Sequence, residues 1–216
     1  MNQTITYQPN KAIAFLAKTI SYIFHPLFIP TYVILFLVWQ FPFEFANITS
    51  WQLKLKLFGT FWMTAFFPAF AVFLLKKLNF INSIFLRTQK DRIIPYVITM
   101  FFYWWMYYLS RSMKDQPEVL RFFYFGIFMS TVAGLIINNF IKISLHALAM
   151  GGAITALILF ALFYQTPLGL YISVTILIAA IVCTSRLALN THNNFEIYAG
   201  LIVGAICQLI GYWFAL

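Results

Sequence analysis

Charge is what this 216-residue chain has least of. Asp, Glu, Lys and Arg make up 9% of it, against roughly 25% in an ordinary soluble domain. With 14 basic and 5 acidic side chains, the surface of a water-soluble body of this size cannot be covered. A soluble enzyme, a disordered chain and a secreted disulfide scaffold are excluded on that ground. Cysteine is scarce as well. Cys183 and Cys207 both lie in apolar runs, so neither a disulfide framework nor a zinc site is suggested. The five carboxylates are spread singly along the chain, and single carboxylates do not make a Mg²⁺ cage. That argues against a prenyl transferase, whose chemistry needs clustered Asp around Mg²⁺-diphosphate, because Asp91 and Asp115 stand alone.

What the chain has in abundance is apolar bulk: 62% hydrophobic residues and 20% aromatic, with 26 Phe, 12 Tyr and 6 Trp. This is the composition of a bilayer interior edged by aromatic belts. The net charge of +9 would suggest nucleic acid in a soluble chain. Here no basic helix or aromatic–basic module is visible, and Lys and Arg beside membrane spans act as anchors and as contacts to anionic headgroups. Membrane lipids are therefore expected as partners, and nucleic acid is not.

Apolar stretches of about 20 residues cross a bilayer as helices. Seven are expected, at about residues 20–39, 57–75, 93–109, 119–141, 147–164, 168–187 and 195–216, or six if the third is re-entrant or interfacial. Residues 1–19 are read as a polar leader, and 20–216 as a single all-α transmembrane bundle. The leader is not read as part of a signal peptide, because the apolar run is too long and no small-residue cleavage site follows it. Pro26 and Pro30 mark a kink or late start in the first span. The Tyr/Trp cluster at 103–108 is read as an interfacial belt, His25 as structural, Asn138 and Asn139 as partners of neighbouring backbone, and Gly151–Gly152 as close helix packing.

Alternation of spans makes a geometric demand. The connections after spans two, four and six open on one face, and they hold the densest polar residues: Arg87 to Arg92, Lys142 to His146, and Ser185 to Glu196. Ionisable groups at the edge of spans are costly and functional by default. Handling a phosphate needs cations for its oxygens, a nucleophile or base facing phosphorus, and an acid for the leaving oxygen. Lys90, Arg92, Lys142 and Arg186 supply cations, Ser144 and Ser185 supply donors, and His146 and His192 are the acid/base and nucleophile candidates. Lys142 reads equally well as a membrane anchor. Glu196, four residues after His192, shares a helical face with it and can orient the imidazole.

Ser185-Arg186-x5-His192-x3-Glu196 resembles the third signature of the type 2 phosphatidic acid phosphatase (PAP2) superfamily, Ser-Arg-x5-His-x3-Asp. Ile143-Ser144-Leu145-His146 resembles its second, Pro-Ser-Gly-His, at the family's separation of about 40 residues. Lys90-Asp91-Arg92-Ile93-Ile94-Pro95 keeps the residue types of its first, Lys-x6-Arg-Pro, but not the spacing. The resemblance covers residues 87 to 200 and implies a PAP2-like core over about 87–216. It implies that His192 attacks phosphorus to form a phosphohistidine, that Glu196 replaces the usual Asp in orienting it, and that His146 protonates the leaving group. Ser144, Arg186, Lys90 and Arg92 would bind phosphoryl oxygens, and no metal or other cofactor is implied.

The expectation is an integral-membrane, metal-independent lipid phosphatase in a bacterial inner (cell) membrane. Its substrate would be a phosphorylated lipid of the phosphatidate, phosphatidylglycerol phosphate or polyprenyl diphosphate class. The alternative is a catalytically decayed PAP2-like protein that binds or transports phospholipid. By span order nine Lys/Arg lie on the site's face and five on the other. Five of the nine belong to or adjoin the candidate site, so the bias assigns no facing.

Overall fold

A computed structural model describes residues 10–86, 88–113 and 115–215. These are all-helical: 81% helix, with no strand among the described residues. The first helix, α1 (Lys11–Ile23), starts where the Asn10 side chain accepts from the Ala12 N–H. It therefore runs back into the stretch read as a polar leader. Lys11 and Lys18 lower the hydropathy there, but lysine is a good helix former and does not interrupt the helix. The chain breaks at Phe24 and His25 into a 3-10 turn, Pro26–Phe28, and resumes as α2 (Ile29–Gln40).

Helix α3 (Ser50–Phe61) opens in a capping box, in which Thr49 and Gln52 satisfy each other's backbone N–H groups. A π turn (Trp62–Phe66) joins it to α4 (Phe67–Lys77). Pro68 explains that turn: it has no N–H to donate to Thr64 and its ring would crowd that carbonyl, so the backbone widens. Then follow α5 (Gln89–Ser112), α6 (Glu118–Asn138), α7 (Leu145–Phe163), α8 (Gly169–Ala188) and α9 (Asn194–Ala215).

Six segments are long and apolar enough to cross a membrane: Lys11–Gln40, Ser50–Lys77, α6, α7, α8 and α9. The stretch expected as the third span is α5. Its 24 residues extend about 36 Å. Gln89 at its start exchanges hydrogen bonds of 2.7 and 2.9 Å with Asn138 at the end of α6. The far end of α5 leads into the short connection from which α6 starts. The two helices thus run antiparallel through the same depth, and the polar ends of α5 account for its lower hydropathy.

The centre of the bundle is the parallel pair α7 and α9, with α6 alongside. A Cβ on Gly204 would lie 2.0 Å from the Leu148 carbonyl oxygen, and one on Gly200 would lie 2.9 Å from the Ser144 oxygen. Gly151 meets the Leu201 carbonyl in the same way. Small residues are what lets two backbones approach this closely in lipid. The close crossing brings the first turns of α7 and α9 together at one face of the bundle, where α6 and α8 end and α5 begins.

Candidate functional site

The three polar connections meet at that face. The Ser144 N–H donates to the Glu196 carbonyl oxygen (3.2 Å), and Lys142 Nζ to the Thr191 oxygen (3.4 Å). Arg92, 6% exposed, donates from Nη1 to the Ile143 oxygen (2.9 Å) and from Nε to the Leu86 oxygen (3.0 Å). Arg92 thereby ties the 79–88 connection to the one that precedes α7.

At the centre is the pair His192 and Glu196. Asn193 accepts from the Glu196 N–H (2.9 Å) and starts α9. That first turn puts the Glu196 carboxylate 2.6 Å from His192 Nδ1. The carboxylate accepts, so Nδ1 carries the proton and Nε2 keeps its lone pair. The other Glu196 oxygen accepts from Asn193 Nδ2 (3.3 Å). Burial lowers the His192 pKa from 6.5 to about 4; the Glu196 hydrogen bond opposes that, and the Arg92 and Arg186 charges add to it. The imidazole is neutral near pH 7, with Nε2 available as a nucleophile. Lys142 is held below its usual value, first by burial and then by Arg92, while Glu196 pulls the other way.

His146 lies one residue into α7, whose N-cap is Ser144; the Ser144 hydroxyl accepts from the Ala147 N–H (3.4 Å). His146 Nε2 is 3.0 Å from the Ser21 carbonyl oxygen. Arg186, in the last turn of α8, donates from Nη1 to the Ser21 hydroxyl (3.3 Å), and its buried Nε has no hydrogen-bond partner among the described residues. His192 and Arg186 both act on His146 electrostatically, and Arg92 acts on Arg186 and on His192. Arg92, Lys142, Ser144, His146, Arg186, His192 and Glu196 are therefore one cluster.

Two residues expected in the site stand apart. The Ser185 hydroxyl is turned back onto its own helix, donating to the Ile181 oxygen (2.8 Å). Lys90 is exposed and lies two residues from Arg92, roughly 200° round the helix, on another face of α5. Arg87 lies outside the described residues.

Ser21 escaped the sequence reading, and His25, read there as structural, also borders the site. Ser21 bonds both His146 and Arg186, and the His25 ring stands edge-on to His146 with centroids 5.5 Å apart. A serine in an apolar run gives no signal of its own. The only cue was the His25–Pro26 break, which ends α1 at this depth. Among the described residues no three His, Cys, Asp or Glu side chains gather as a metal-binding group. A search of protein-family models, of curated proteins and of solved structures finds nothing that matches the chain.

Proposed function

We propose that the chain is an integral-membrane lipid phosphatase, a PAP2-like hydrolase of a lipid phosphomonoester or diphosphate in a cell membrane. The observation that carries this reading is a buried, positively charged cluster with no anion of its own to spare. Arg92 and Arg186 act on a histidine whose carboxylate partner is already engaged, Lys142 reaches the Thr191 oxygen beside it, and Arg186 keeps an unpartnered Nε edge. That edge of a guanidinium is the one that binds phosphate oxygens as a fork.

In the reaction, His192 Nε2 attacks phosphorus while Glu196 holds the Nδ1 proton and stabilises the cation that forms. The bond from phosphorus to the lipid oxygen breaks. His146, which takes up its second proton as the phosphate dianion binds beside it, gives its Nδ1 proton to that oxygen, because its Nε2 proton is held by the Ser21 carbonyl. Water then attacks the phosphohistidine, His146 Nδ1 takes the water's proton, and phosphate leaves. Arg186, Arg92 and Lys142 balance the charge that builds on the phosphoryl oxygens. A lipid substrate follows from the setting: the cluster lies at the ends of membrane-length helices, and the chain folds as one bundle around it.

The test is phosphate release from a panel of phosphatidate, phosphatidylglycerol phosphate and polyprenyl diphosphate in detergent micelles, with wild type and His192→Ala. Release by wild type, abolished in His192→Ala, supports the reading. Equal release by both refutes it. Saturable lipid binding without release points instead to a binding or transport protein on the same fold, a reading favoured by Leu145 where the resembled motif has glycine.

A further inference from the structure

The first span lies outside the motifs that carry the family resemblance, yet it supplies the hydrogen-bond partners of two site residues. A carbonyl oxygen only accepts, so the 3.0 Å contact from Ser21 to His146 Nε2 requires the proton to be on Nε2. When the ring is neutral, Nδ1 then carries the lone pair. The Ser21 hydroxyl donates to the Ala17 oxygen at 2.8 Å, which leaves its lone pairs for Arg186 Nη1. Ser21 is 6% exposed and Ala17 4%, and α1 packs along α8. The end of α1 is also pinned from the other side, where the Tyr32 hydroxyl donates to the Ile23 oxygen (2.8 Å). Both contacts bridge long stretches of sequence, 125 residues to His146 and 165 to Arg186.

We propose that Ser21 is a positioning residue of the site: its main-chain oxygen fixes His146 as the Nε2–H tautomer, and its hydroxyl aims Arg186 so that the Nε edge faces the phosphoryl group. The two histidines then present opposite nitrogens, His192 its Nε2 and His146 its Nδ1. Each has an acceptor suited to its task. The carboxylate of Glu196 supports a ring that becomes cationic on attack. The neutral carbonyl of Ser21 fixes a ring that must both give and take a proton. The chemical roles rest on the phosphatase reading; the tautomer and the Arg186 contact do not.

The test uses the full chain, 15N-labelled at histidine, in detergent micelles, with His146 assigned through His146→Gln. Imidazole nitrogen shifts are expected to show His146 protonated at Nε2. Ala17→Leu wedges α1 away from α8 without altering a site residue and is expected to give a mixture of tautomers. Ser21→Ala keeps the carbonyl and removes the hydroxyl. It is expected to leave the tautomer unchanged and to raise KM about tenfold with kcat within about twofold, the scale of one hydrogen bond to a charged group. Ser21→Thr restores KM.

An Nδ1–H tautomer of His146 in wild type, or unchanged KM in Ser21→Ala, overturns the proposal. If the chain hydrolyses no lipid phosphate, the phosphatase reading fails separately. The tautomer then still decides the first half, and the affinity for orthovanadate, weakened about tenfold in Ser21→Ala, decides the second. Where Ala17→Leu does not fold, the wild-type tautomer and the Ser21 variants carry the test alone.

Discussion

The two faces of this bundle treat buried positive charge in opposite ways. On the face away from the site, Lys56 in α3 meets Asp115 at 3.2 Å and Gln116 at 2.7 Å, so the ammonium has its counter-ion. Arg121 has Glu118 within 3.8 Å. On the site's face only Asp91 and Glu196 are acidic. Asp91 Oδ1 accepts from the Asn82 N–H and side-chain amide at the foot of α5, and Glu196 is engaged by His192 and Asn193. Arg92, Arg186 and Lys142 are left to backbone oxygens and a hydroxyl. Burying charge without a counter-ion is expensive. A fold that gives Lys56 and Arg121 a carboxylate on one face and gives Arg92, Arg186 and Lys142 none on the other leaves room for an anion there.

The largest expected effect separates the faces outright. His192→Ala should lower turnover by at least about a thousandfold, while Lys56→Met on the other face leaves it within about twofold. Comparable losses from both would erase the distinction. Next in size is Glu196→Gln, with turnover down about a hundredfold or more and melting little changed, as when a triad carboxylate is neutralised. Glu196→Asp should be tolerated. A carboxylate that only favours the start of α9 would show the reverse in Glu196→Gln: lower melting and full turnover per folded molecule.

The close crossing beneath the site comes third. Gly204→Val places side-chain atoms in the Leu148 backbone and should destabilise the bundle by about 1–3 kcal/mol, the usual range for overpacking. Thermal unfolding in detergent measures this. An unchanged melt would mean that α7 and α9 are not in contact there.

The smallest effect is a shift in pH dependence. On the phosphatase reading His192 attacks only when neutral, and its pKa is lowered to about 4. Activity should therefore persist below pH 6.5 and fall as pH drops through about 4, read as the acid limb of kcat/KM. Removing a cation that lowers the pKa, as in Arg186→Gln, moves that limb up. Removing the Glu196 hydrogen bond that raises it moves the limb down. A limb that stays fixed in both variants would assign it to another group.

Much of this was legible in the sequence, for physical reasons that also mark where legibility ends. Long apolar runs give the spans because a bilayer admits only such helices. Alternation of spans then brings Arg92, Lys142 to His146 and Arg186 to Glu196 to one face. The i, i+4 spacing of His192 and Glu196 is a local property of a helix start, so that contact could be read directly. Side-chain direction could not. Lys90 and Arg92 look equivalent in sequence but project from different faces of α5, and Ser185 spends its hydroxyl on its own helix. The start of α1 was misplaced because lysines lower hydropathy without breaking a helix. Ser21 was invisible because its contacts depend on how α1 packs against α8, which no local pattern encodes.

The most direct measurement of the central claim is binding of orthovanadate, a phosphate mimic that becomes five-coordinate when a nucleophile adds to it, to the purified protein, titrated with wild type, Arg186→Gln, His192→Ala and Lys56→Met. The account predicts saturable binding that is lost or strongly weakened in Arg186→Gln and His192→Ala and unchanged in Lys56→Met. No binding to wild type, or equal binding by all four proteins, would contradict it.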